Sequence, residues 1–275
     1  MMKNLVSVLS LVALTVISIS CKQNEEEIIH SNVVEDFNQK QGLNAVLWHQ
    51  TSAEYRALCF QAYNLAKVQL DHKLEQHAYP YDLPPAIVMD LDETVIDNSY
   101  FNAQLIKDNR TFSKAAWKEW SDKVSATAVP GAIEFIKYAK EKGVSVIFIS
   151  NRRTNELQNT KLNLEKLGLD NLDTNNFYFR VEEGSKKARR EEVSKNHEIV
   201  MLFGDNLADF IELFDKKSVE KRNELVTDLQ AKFGDAFIIL PNALYGEWES
   251  SLFEYKYDYT EAQKDSIRMG MLQGL

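Results

Sequence analysis

A chain of 275 residues, 44% of them hydrophobic, can bury one substantial core, and only 5 prolines and 10 glycines argue against long disordered tracts. The net charge of −9 and an isoelectric point near 5.2 argue against a nucleic-acid polymer as partner, because a phosphate backbone needs a basic face. A small anionic substrate remains compatible, since a few placed cations and a metal can build a local site on an acidic protein.

The chain opens on "MMKNLVSVLSLVALTVISISC", one charge at Lys3 and then an apolar run from Leu5 to Ile19. The run is short for a membrane span and is followed at once by polar sequence, so residues 1–20 read as a secretory signal. Ser18 and Ser20 directly before Cys21 resemble a bacterial lipoprotein signal. That resemblance implies a lipid on Cys21 and an exported, membrane-anchored protein. The residue after Cys21 is not aspartate, which favours the outer membrane in a cell that has two. Residues 21–40 are polar and acidic and read as a tether. The other cysteine, Cys59, then has no partner, so no disulfide framework is expected and Cys59 is a buried core thiol.

From Asn44 to His77 the apolar positions recur at helical spacing, with Thr51 and Ser52 as candidate caps, until "YPYDLPP" breaks the pattern. Beyond it, apolar runs at 86–92, 144–150, 176–181, 198–205 and 236–241 alternate with helical stretches at 130–143, 154–168, 185–196 and 206–234. Continuous apolar strands separated by helices predict a parallel sheet covered on both faces, with all strand C-termini at one edge. Open sheets of this kind bind ligands at that edge. The strand ends carry Asp90 and Asp92, Ser150, and Asp205.

Two aspartates one residue apart at the end of a buried strand are expensive unless paired, metal-bound or used in chemistry. One such carboxylate can attack phosphorus, while the other protonates the leaving oxygen and later activates water. Paired carboxylates repel an anionic substrate, so a cation is needed. Hard oxygen donors from Asp90, Asp205 and a backbone carbonyl suit Mg²⁺.

Other phosphatase chemistries lack their residues. None of the five histidines stands in an Arg-His-Gly arrangement or has convincing zinc spacing, and neither cysteine begins a Cys-x5-Arg loop. Walker and dinucleotide glycine motifs are absent.

"VMDLDETVIDNSYF", "VPGAIEFIKYAKEKGVSVIFISNR", "KKARR", "GDNLADF" and "LPNALYGEWE", preceded by "WHQTSAEYRAL", together resemble the class C acid phosphatases and lipoprotein 5′-nucleotidases of the haloacid dehalogenase (HAD) superfamily. The resemblance spans most of the chain after the tether. It implies an α/β, three-layer Rossmann-like fold over residues 41–275, with a central parallel sheet and a mostly helical cap built from about 44–80 and 97–129. Asp90 would be the nucleophile and Asp92 the general acid and base. Ser150 would hydrogen-bond the transferring phosphoryl group, with Asn151 and Arg152 on the substrate. Lys186, three residues before Arg189, would neutralise nucleophile and phosphate, although adjacent Lys187 is a rival. Mg²⁺ would sit on Asp90, the main-chain carbonyl of Asp92 and Asp205, with Asp209 orienting waters around it.

In the aromatic-rich insert, Phe112 and Trp117, with Tyr245 from the last motif, are candidates to stack on a flat leaving group, equally readable as core residues. The reading is a surface-anchored Mg²⁺-dependent phosphomonoesterase for nucleoside monophosphates and other organic esters. Its rivals are a phosphatase for sugar or other small phosphate esters and a ligand-binding lipoprotein without turnover. A homodimer is admitted by the sequence without being required.

Overall fold

The structure, a computed structural model, describes residues 42–76 and 82–275. The signal, Cys21, the tether and part of the expected "YPYDLPP" break lie outside the described residues. Five parallel strands form the central sheet in the order β5-β4-β1-β6-β7: β1 (Pro85–Met89), β4 (Ser145–Arg153), β5 (Phe177–Arg180), β6 (Glu198–Gly204) and β7 (Phe237–Ile239). A separate antiparallel pair, β2 (Ile96–Asp97) and β3 (Thr127–Ala128), frames the insert. This is the α/β arrangement expected.

Both sheet faces are buried, which explains why the strands read as unbroken apolar runs. Along β1, Ile87 and Met89 enter one core while Ala86 and Val88 enter another; β4 divides Val146 and Phe148 from Ile147 and Ile149 in the same way. Strand β6 departs from simple alternation. Its partnership with β1 shifts by one residue between Ala86–Ile199 and Ile87–Met201, leaving Val200 as a bulge. Met201 and Phe203 thereby join Ile87 and Met89 on one face.

Helices α1 (Leu43–Thr51) and α2 (Ala53–Gln76) divide at Ser52, whose hydroxyl accepts from the Tyr55 amide at 3.1 Å and caps the second helix. Helix α2 buries Tyr55, Cys59, Tyr63, Ala66 and Leu70, residues at helical spacing, against the Ile87 and Phe203 face of the sheet. Its 24 residues therefore form a core layer. The stretch was expected in the cap, and α2 lies against the sheet instead; from α1, Gln50 donates to Ser99 of the insert at 3.2 Å. Helix α3 (Ser99–Lys107) and helix α4 (Lys114–Ser121) fill the insert.

Helix α5 (Ala132–Glu141) and helix α6 (Leu157–Lys166) join α2 on its face, and helix α7 (Lys187–Ser194) sends Val193 to the other. The helix expected over 206–234 is broken. Two short 3-10 turns precede α8 (Val219–Asp228), because the Asp209 carboxylate caps the first turn, Lys216 adopts a left-handed φ of 52°, and Ser218 starts the helix afresh. Helices α9 (Glu247–Leu252) and α10 (Glu261–Met271) close the chain. Among the described residues, no helix is long and apolar enough to cross a membrane.

Candidate active site

The site grows from the end of β1. The Asp90 amide donates to the Phe203 carbonyl at 2.9 Å, tying the first aspartate to β6. The chain then folds into a tight loop: the Leu91 carbonyl accepts from Val95 and Ile96, both at 2.8 Å, and Glu93 takes a left-handed φ of 58°. Tyr63 of α2 supports this loop from beneath, its hydroxyl donating to the Thr94 carbonyl at 2.6 Å.

Asp90 lies buried against the Lys186 ammonium, which also contacts Asp209 at 2.6 Å. Lys187 faces outward and pairs with Glu212 at 3.0 Å. Of the two rival lysines, Lys186 is thus the one the fold carries into the carboxylate cluster. Arg189 fixes the approach, donating to the carbonyls of Ser150, Gly184 and Ser185 and to the Asn151 side chain. Asn151 is exposed.

Carboxylate oxygens of Asp90, Asp205 and Asp209 lie within 4.8 Å of one another. One lysine cannot balance three carboxylates, two of them buried and the third half-buried. Burial pushes the Asp90 carboxyl up to about 7, against the opposing pull of Lys186, and burial together with Asp209 and Asp90 raises Asp205 well above the usual carboxylate range. The donor set is all hard oxygen with a charge deficit at its centre, which fits a divalent metal ion. Asp209 stands closer to this cluster than a purely water-orienting role requires. Its second oxygen accepts from the Asn206 amide at 3.0 Å, and a Cβ on Gly204 would sit 2.4 Å from that same carboxylate. Gly204→Ala should therefore displace Asp209 and weaken divalent-metal affinity by about 10–100-fold, read by calorimetric titration. Unchanged affinity would mean that Asp209 contributes nothing to the cluster.

Asp92 stands apart from the cluster, gripped by one guanidinium, one side-chain amide and one hydroxyl. Arg152 donates to it through Nε at 3.1 and 3.2 Å and through Nη2 at 2.7 Å, Asn98 through Nδ2 at 2.8 Å, and Ser150 through its hydroxyl at 3.4 Å. Arg152, expected on the substrate, is thus spent on Asp92. Its Nη1 donates to Thr160 at 3.0 Å and its guanidinium lies 5.4 Å from the Trp117 ring centre.

Trp117 in turn donates to Glu156 at 2.6 Å and meets Phe101 edge-on, so much of its surface is committed within the protein. Phe112 precedes α4, where Ser113 is the cap, and does not share a helix face with Trp117; it is 63% exposed and meets Phe101 edge-on. Tyr245 lies in the segment after β7 and is 36% exposed.

Three residues not anticipated from the sequence belong to the site. Asn98 is fully buried and holds Asp92; Asn242 donates to Asp205 at 2.7 Å; Glu93 is fully buried and accepts from the Asn98 amide at 2.9 Å. Burial, with Asp92 and Asp205 nearby, raises the Glu93 carboxyl well above the usual range. All three fall inside the motif strings, and that membership was the available signal.

Residues 1–248 match a family model described as HAD superfamily, subfamily IIIB (acid phosphatase). Among solved structures, the chain is similar to the class C acid phosphatase from Bacillus anthracis, at 43% identity and a TM-score of 0.82, covering 86% of this chain and 99% of that one. The same Bacillus anthracis enzyme with tungstate bound matches at 43% identity and a TM-score of 0.82, covering 86% of this chain and 98% of that one.

Proposed function

The chain belongs to the acid phosphatases of HAD subfamily IIIB and is a phosphomonoesterase; from that premise we propose that it hydrolyses nucleoside monophosphates and related organic esters with Mg²⁺, through an aspartyl-phosphate on Asp90. Lys186, lodged between Asp90 and Asp209 at the C-terminal edge of the sheet, carries this reading, since a fixed ammonium there serves nucleophile and phosphate alike. The tungstate held by the Bacillus anthracis relative, an oxyanion of phosphate's shape, supports an anion site in the same fold.

Asp90 presents to phosphorus the oxygen that Lys186 does not hold, and a new P–O bond forms as the ester P–O bond breaks. Asp92 gives the departing oxygen its proton. The ionised Asp92 then takes a proton from water, whose oxygen attacks phosphorus and breaks the bond to Asp90, releasing inorganic phosphate. Held by Asp90, Asp205 and the Asp92 main-chain carbonyl, with Asp209 beside them, Mg²⁺ would supply charge neutralisation for the phosphoryl oxygens. Exposed Phe112 and Tyr245 are the surfaces offered to a nucleobase. A lipid on Cys21 would place the reaction at a membrane surface outside the cytoplasm, where esters are stripped of phosphate before uptake.

The test is phosphate release by the purified full chain from nucleoside monophosphates and sugar phosphates, with Mg²⁺ or EDTA. Metal-dependent release that favours nucleotides, with Phe112→Ala and Tyr245→Ala raising KM for nucleotides alone, is expected. Equal turnover of sugar esters would shift the reading to a small-ester phosphatase. No release from acidic to neutral pH would favour a ligand-binding lipoprotein.

A further inference from the structure

Helix α4 carries two tryptophans one turn apart, and each touches a different residue that grips Asp92. The Trp117 ring lies under the Arg152 guanidinium, and Trp120 Nε1 donates to Asn98 Oδ1 at 2.9 Å. Asn98 Nδ2 in turn donates to Asp92 Oδ1 at 2.8 Å, and Arg152 Nη2 reaches that oxygen at 2.7 Å. Arg152 Nε adds a third donor at 3.1 Å. Oδ1 of Asp92 therefore has three N–H donors. Among the described residues, Oδ2 has only Arg152 Nε at 3.2 Å, shared with Oδ1, and the Ser150 hydroxyl at 3.4 Å.

We propose that Asn98 and Arg152 are positioning residues for Asp92: they lock Oδ1, so that Oδ2 is the oxygen that meets the ester oxygen and then the water, and α4 braces both through Trp120 and Trp117. The proposal rests on the acid and base role given to Asp92 above. The asymmetry of the donors has a direct chemical meaning. An oxygen saturated with N–H donors has no room for a proton of its own, whereas Oδ2 faces a hydroxyl that can accept a hydrogen bond as readily as donate one. The Asn98 amide is oriented from both sides, its oxygen by Trp120 and its nitrogen by Asp92, so its two ends are not interchangeable. Because α4 lies in the insert that covers the sheet edge, a change in the position of that helix is transmitted to the acid and base through two separate contacts.

The test uses two esters that differ in their need for a proton: an alkyl phosphate, whose leaving oxygen must be protonated, and 2,4-dinitrophenyl phosphate, whose leaving group departs as the anion. Asn98→Ala should lower kcat/KM for the alkyl ester by about 100-fold, the lower end of what general acid catalysis supplies. For the dinitrophenyl ester kcat/KM should change by less than about threefold, and a burst of one equivalent of dinitrophenolate should precede slow turnover, since Asp92 must still activate water. Trp120→Phe, which keeps an aromatic side chain and removes the pyrrole ring with its N–H, should reproduce the same split on a smaller scale, and Arg152→Lys should give it without loss of charge. Asp92→Asn tests the underlying reading on its own: turnover of the alkyl ester should disappear while the dinitrophenyl ester still gives a burst, and a variant that still turns over the alkyl ester would remove the acid and base role itself. An equal fall in kcat/KM for both esters would make Asn98 merely structural and overturn the proposal, as would no change in either.

Discussion

Asp90→Asn abolishes turnover, with phosphate release falling at least about 10⁴-fold, because the amide keeps the shape of the carboxylate and loses its capacity to attack phosphorus. Asparagine can still accept from Lys186 through its side-chain oxygen, so the packing around the site survives. The substitution also removes one of three crowded negative charges, and burial already pushes the Asp90 carboxyl up to about 7. The metal-free variant should therefore melt no lower than the wild type. Loss of activity at undiminished stability separates a chemical role from a structural one. The measurement is steady-state phosphate release alongside thermal unfolding in EDTA, with mass spectrometry for a phosphoryl adduct on the wild type during turnover. A variant retaining a tenth of wild-type activity would rule out covalent attack by Asp90.

Lys186→Met is the second large effect, and it strikes stability and activity together. Lys186 is buried between Asp90 and Asp209, and removing it leaves carboxylates in the interior with no counter-charge. Breaking a buried pair from one side costs about 3–5 kcal/mol, a loss expected in urea unfolding at neutral to alkaline pH in EDTA. The pH dependence has a definite sign. Asp90's carboxyl is raised in the folded state from 3.8 to about 7, so its protonated form contributes stability at low pH that is lost as pH rises through about 7. Lys186 holds this carboxyl down, so without it Asp90 keeps its proton to a still higher pH; the deficit of Lys186→Met should accordingly be smallest below about 7, where Asp90 is protonated with or without the lysine, and grow as pH rises above it. Lys187→Met, at the surface, should leave activity and unfolding unchanged. Similar losses from both variants would contradict the assignment of Lys186 to the site.

The strands were readable because burial on both faces forces runs such as Ala86-Ile87-Val88-Met89, which no exposed loop would tolerate. Asp90, Ser150 and Asp205 were readable for the complementary reason, as polar residues at the ends of those runs. Helix α8 was misjudged in extent because Glu, Leu, Asp and Lys support a continuous helix by composition; what breaks it is a carboxylate turned back on its own backbone at Asn206, a geometric choice. Arg152 was read as a substrate residue because a guanidinium suits a phosphate and a carboxylate equally well, and only the folded chain shows it paired with Asp92. Asn98 and Asn242 stayed hidden among motif letters, since a neutral amide carries no charge signal and its value lies wholly in where it points.

The bulge at Val200 works as a phase shifter. Upstream of it, Pro85 stands opposite Glu198; downstream, Met89 stands opposite Phe203, so β6 has spent one residue more than β1 in reaching the same height. Without that extra residue the two strands would reach the edge one step out of phase, and Asp205 would turn to the face opposite the one Asp90 requires. The residue that breaks the ladder at the lower rim of the sheet is thus what sets the phase of the chemistry at the upper one, and a deletion at Val200 would be felt at Asp205 rather than where it was made.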